Sequence, residues 1–159
     1  MITIKKGNAV DALLNKEIDY LVHSTNAQGV FSSGIAGEIR RRIPEAYVAY
    51  MKQYNMWKCH GKESIPLGDL SSGGKVINLC GQEFYGRSGK RYTNYGAIAS
   101  GLCDLFCYLQ DIDERQCRNI KLGLPLVGCG LGGAEEDIIM EIIEHCLGNI
   151  YKEVVVFKL

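Results

Sequence analysis

Two segments of this chain share one order: an apolar run, a polar or glycine-rich tip, then an amphipathic helix. In residues 19–43, Tyr20-Leu21-Val22 is short enough to be a buried strand and His23-Ser24-Thr25-Asn26 is polar. A loop carrying Gly29, Ser32, Ser33 and Gly34 then leads to Ile35, Ile39 and Ile43, spaced by four and stopped by Pro44. In the second segment, residues 119–127 run into Gly128-Cys129-Gly130-Leu131-Gly132-Gly133. Ile138, Ile139, Ile142, Ile143 and Leu147 then mark a helix closed by Gly148. Such units belong to α/β sheets, which bind ligands at the carboxyl ends of their strands. Each following helix aims its free N–H groups and positive dipole end at that edge, which suits a phosphate. Two such loops let backbone N–H groups hold a diphosphate from both sides.

Two familiar nucleotide grips are excluded. Neither loop matches GxxxxGK[ST], so a nucleoside-triphosphatase site with its magnesium is not indicated. Gly128, Gly130, Gly132 and Gly133 have the wrong spacing for GxGxxG.

The remaining elements alternate between strand and helix. Ile2-Thr3-Ile4-Lys5 reads as a short strand followed by a turn at Gly7-Asn8, and Val10, Leu13 and Leu14 as a brief helix. Tyr47, Tyr50, Met51 and Tyr54 recur at helical spacing and read as core. A short strand is expected at 64–66, a better one at 75–80, and a long polar loop over 81–92. A helix is expected over 94–109, and Val154-Val155-Val156-Phe157 reads as a closing strand buried on both faces. The expected fold is a single α/β domain over 1–159 with helices on both sides of a mixed or parallel sheet.

Charge and cysteine content narrow the partners. Lys plus Arg and Asp plus Glu both total 18, leaving no net field to gather nucleic acid or membrane. No apolar run reaches membrane-spanning length, and no signal-peptide pattern opens the chain. Seven cysteines without a CxxC pair read as free thiols of a cytoplasmic protein. Cys59-His60 and His145-Cys146 lack ligand spacing, so no metal is expected.

Lys6-Gly7-Asn8, Leu21-Val22-His23-Ser24-Thr25-Asn26, Gly34-Ile35-Ala36, Leu124-Pro125, Gly128-Cys129-Gly130-Leu131-Gly132 and the terminal Val-Phe-Lys-Leu together resemble the macro domain family. The resemblance covers essentially the whole chain and is nearest to the single-domain ADP-ribose 1''-phosphate phosphatases of yeast and phage type. It implies a three-layer α/β/α domain with a mixed central sheet, holding an ADP-ribose derivative between the two glycine loops. It implies a small-molecule substrate; a cytoplasmic monomer with no cofactor and no direct nucleic-acid partner is the expectation that goes with it.

The resemblance also assigns residues. Asn8 stands where most macro domains carry an adenine-binding aspartate, with Ala9 beside it. Asn26 matches the asparagine at the distal ribose, and Gln28, Phe31, Ser32, Ser33, Gly34, Ile35 and Ala36 match the enclosing loop and helix start. Val127, Gly128, Cys129, Gly130, Leu131, Gly132 and Gly133 match the diphosphate loop, and Phe31 and Tyr85 are expected walls of the distal pocket. His23 matches the histidine of the phosphatase subgroup, where it could serve as general base, general acid or phosphorus nucleophile. His23 and Asn26 are therefore the expected catalytic pair. The alternatives are a binding module without catalysis and a hydrolase that removes ADP-ribose from protein, nucleic acid or an O-acetyl group. A lysine-dependent hydrolase would need its lysine where Gln82 or Glu83 stands, and an aspartate where some members carry one, at Gly132; Lys90 lies further on. The triple glycine of the mono-ADP-ribosyl hydrolases is replaced by Val30-Phe31-Ser32-Ser33-Gly34.

Overall fold

A computed structural model describes residues 2–159. In chain order it contains β1 (Ile2–Lys6), α1 (Ala9–Leu14), β2 (Tyr20–Asn26), α2 (Gly34–Arg42), α3 (Pro44–Cys59), β3 (Leu70–Gly73) and β4 (Val76–Gln82). Then follow α4 (Tyr95–Ile112), a 3-10 turn (Cys117–Asn119), β5 (Lys121–Pro125), α5 (Glu136–Leu147) and β6 (Glu153–Lys158). The six strands form one mixed sheet in the order β1-β6-β5-β2-β4-β3, parallel except for β3 against β4.

Two apolar layers cover the sheet. Side chains of a strand alternate between faces, and β2 shows it: Tyr20 and Val22 join the core under α4 and α5, while Leu21 joins the core under α1, α2 and α3. β6 is buried from Val154 to Phe157, as its unbroken apolar run predicts.

The expected strand at 64–66 is absent. Ile65 is buried and its N–H reaches the Ala27 carbonyl at 3.1 Å, but Pro66 has no N–H to continue a ladder. The real edge strand is the polar Leu70–Gly73, which carries no alternation to reveal it. β5 stops at Pro125, two residues short of the expected end, for the same chemical reason.

α4 starts at a side-chain cap: Asn94 Oδ1 accepts the Ala97 N–H at 2.9 Å. Asn94→Ala should therefore cost about 1 kcal/mol of stability, read as a lower urea midpoint at unchanged slope.

Candidate functional site

The carboxyl ends of β6, β5, β2 and β4 open onto one cleft of about 980 Å3, at the upper end of the roughly 300–1,000 Å3 that ligand pockets span. From β2 the chain leaves toward β4 through α2 and α3; from β5 it leaves the other way, through α5 to β6. The gap between β2 and β5 is thus a topological switch point, where diverging connections leave a crevice.

One wall is the start of α2. Its N-cap, Ser33, makes no side-chain cap bond, and no acidic residue stands in the first turn, so the helix presents unpaired N–H groups and its positive end. The opposite wall is the loop after β5. Gly128 and Gly133 take φ of +75° and +73°, and the loop closes through Cys129 N–H to Leu126 O at 3.1 Å and Ala134 N–H to Gly128 O at 2.9 Å. Among the described residues, no backbone carbonyl takes the N–H groups of Gly130, Leu131 or Gly132. Two sets of backbone donors without backbone partners therefore line the cleft, one on each side of the switch point.

The ends of the cleft differ. At the β6 end lie Phe157 and Lys158, the latter 3.5 Å from Glu136 on α5. At the β4 end lie Asn26, Gln82, Tyr85 and Arg87. Asn26 shapes a turn there: its Nδ2 donates to Val30 O at 2.7 Å and its Oδ1 accepts the Gln28 N–H at 2.9 Å.

Most residues expected to touch ligand line this cleft: Asn26, Phe31, Ser32, Ser33, Gly34, Ile35, Ala36, Val127, Gly128, Cys129, Gly130, Leu131 and Gly132, together with Tyr85. Five do not. Asn8 has its amide committed elsewhere, its Oδ1 capping α1 at Asp11 N–H (2.9 Å) and its Nδ2 donating to the Glu38 carboxylate (3.1 Å). Ala9 is buried in the core under α1 to α3. Gln28 instead joins two loops, donating from Nε2 to Glu83 O at 3.0 Å. Gly133 is pressed against the backbone of Lys90 and Arg91.

His23 is the largest departure. It sits three residues before the end of β2, so its ring projects from the face of the sheet, not from its edge. It is fully buried, edge-on to Phe31 with ring centroids 5.3 Å apart, and outside the cleft lining. Its Nε2 lies 2.6 Å from Asn78 Oδ1. Asn78 Nδ2 already donates to Ala46 O at 3.1 Å and Ser71 Oγ at 3.0 Å, so the proton between His23 and Asn78 must sit on Nε2. Burial lowers the imidazole from its ordinary 6.5 to about 4, against the opposing effect of the Asn78 bond. At neutral pH His23 is a neutral donor inside the protein.

Cys129 does line the cleft, but burial first, and then Glu136, push its thiol up to about 11, so it keeps its proton. The lining residues that the sequence did not single out include Ser24, Thr25, Arg87, Glu136 and Lys158. Ser24 and Thr25 lay inside the polar tip read after the Tyr20–Val22 run, and Arg87 inside the long loop expected to matter; the presence of Glu136 and Lys158 depends on strand order, which no local pattern reveals.

A model of the macro domain matches residues 22–143. The chain belongs to the macro domain family. A curated relative, the DNA ADP-ribosyl glycohydrolase of Thermus aquaticus, is 25% identical over 149 residues, covering 92% of this chain and 38% of that protein. The Mycobacterium tuberculosis protein of the same description is 27% identical over 146 residues, again 38% of its length. This macro domain therefore spans well under half of those relatives. Among solved structures, the macrodomain of Thermus aquaticus DarG superposes with a TM-score of 0.74 at 22% identity over 100% of this chain and 99% of that one. Thermosipho africanus DarTG in complex with ADP-ribose gives 0.74 at 18% identity over 99% of this chain and 42% of that one. Both show the same fold: a mixed six-stranded sheet flanked by helices.

Proposed function

We propose that this macro domain holds the ADP-ribose unit of its substrate in the cleft and hydrolyses the bond joining the distal ribose to its substituent. The observation that carries the reading is the pair of N–H sets without backbone partners, at α2 and at residues 130–132, that line one cleft on either side of the switch point, an arrangement suited to a diphosphate. The diphosphate would bridge them, with the distal ribose toward Asn26 and Gln82 and the adenosine toward the β6 end. The curated relatives are named for releasing ADP-ribose from DNA, and a substituent linked through a base is the first substrate class to assay. Arg87 favours a second reading: a cation at the β4 end of the cleft would suit a 1''-phosphate. The burial of His23 argues against that phosphatase working through its imidazole.

The test offers the purified protein, in EDTA, an ADP-ribosylated oligonucleotide and, separately, ADP-ribose 1''-phosphate. Release of free ADP-ribose from the oligonucleotide is the expected result. Release of phosphate instead would move the assignment to the phosphatase. Tight ADP-ribose binding with every such substrate left intact would overturn hydrolysis and leave a binding module.

A further inference from the structure

We infer that Tyr50, a residue whose helical spacing marks it only as core, is a positioning residue that sets the Asn26–Val30 turn around the distal sugar. The inference rests on the ADP-ribose reading above. Tyr50 comes from α3, is fully buried, and packs its ring 5.1 Å from that of Phe31. Its hydroxyl is the hub of the turn. It donates to Asn26 O at 2.7 Å, accepts the Gly29 N–H at 3.0 Å, and lies 3.1 Å from Asn26 Oδ1. Asn26 then spends its own amide on Gln28 N–H and Val30 O. One phenolic oxygen thus joins the Asn26 carbonyl to the Gly29 N–H, while the asparagine's own amide bonds to Gln28 and Val30 hold its rotamer at the β4 end of the cleft.

The neighbouring helical position reinforces it. Tyr54, one turn further on α3, lays its ring against Gly29, which takes φ of +81°; a Cβ at Gly29 would sit 2.9 Å from that ring. From the other side the turn is tied through Ala27 N–H to Glu83 O at 3.3 Å and Ile65 N–H to Ala27 O at 3.1 Å. Burial raises the Tyr50 phenol well above its ordinary range, so the donor is permanent near neutral pH. Without the hydroxyl, the Asn26 carbonyl and Gly29 N–H lose their shared partner and the turn is free to shift. The Tyr50 hydroxyl makes no bond to the α2 start or to residues 130–132, so its loss should fall on the distal sugar.

The experiment compares dissociation constants for ADP-ribose and for ADP, which lacks the distal ribose. The parent protein should prefer ADP-ribose. Tyr50→Phe keeps the ring against Phe31 and should weaken ADP-ribose roughly three- to tenfold while ADP stays within about twofold. Gly29→Ala, which displaces the same turn from the Tyr54 side, should give the same split. Ser71→Ala removes a half-buried hydroxyl beneath α3, one that donates to Gln53 Oε1 at 2.8 Å, accepts from Asn78 Nδ2 at 3.0 Å and makes no bond to the turn, and should leave the ratio unchanged. Equal weakening of both ligands, or of neither, in Tyr50→Phe and Gly29→Ala would overturn the positioning role. A parent that shows no preference for ADP-ribose over ADP would overturn the functional reading and this inference with it.

Discussion

Gly128→Ala should weaken ADP-ribose binding by roughly 100-fold or more and lower the melting temperature by roughly 6–12 °C. The residue takes φ of +75°, a conformation that costs an L side chain about 1–2 kcal/mol. The added Cβ would also lie 2.8 Å from Cγ2 of Thr93 and close to its hydroxyl, which donates to the Gly128 carbonyl at 2.9 Å. Thr93 is buried and cannot swing away without losing that bond, so about 1–2 kcal/mol of steric cost adds to the strain. A loop that shifts to relieve the clash withdraws the Gly130 to Gly132 N–H groups from the diphosphate, and each such charge-assisted bond is worth about 1.5–3 kcal/mol. Gly130→Ala is the matched control for stability. Its Cβ would meet nothing within 4 Å, so its melting temperature should stay within about 2 °C of the parent's. Thermal melts and ligand titrations on the two variants separate the effects.

His23→Gln should retain turnover within about tenfold at pH 7.5, whereas loss of a true general acid or base costs about 10²–10⁴-fold. It should instead change how stability depends on pH. The unfolded imidazole takes its proton near 6.5 and the folded one only near 4. Between those values the unfolded chain binds more protons, so stability falls as pH drops through that window and is complete above it. The span corresponds to about 3 kcal/mol at about 1.4 kcal/mol per pH unit. Glutamine keeps a neutral N–H donor for Asn78 and has no proton to gain. Urea unfolding between pH 4 and 7.5 should therefore show a parent curve that falls by about 3 kcal/mol more than the variant's. Parallel curves would refute the buried neutral histidine, and turnover reduced a thousandfold at an unchanged melting temperature would restore it to the chemistry.

The two loop–helix units were legible in the sequence because their signals are local. Period-four isoleucines mark α2 and adjacent isoleucine pairs mark α5, the first preceded by a Gly/Ser-rich loop and the second by a glycine cluster. That was enough to place the walls of the cleft. Its β6 end was not legible, because β6 reaches the site only through its place beside β5, a pairing across about thirty residues. Phe157 and Lys158 at the tip of β6 were therefore passed over as candidate ligand contacts. His23 shows a different limit. A polar residue near a strand end suggests the rim, but the face it occupies follows from parity: it lies on the Leu21 side, beneath Phe31 and α3. The polar edge strand β3 has no alternation, so its place was set only by pairing with β4.

The central claim is that the two N–H sets hold the diphosphate of ADP-ribose. Titration calorimetry of the parent protein with ADP-ribose tests it most directly. Saturable one-to-one binding that ADP displaces by competition is the expected result. No binding of either ligand at millimolar concentration would contradict it.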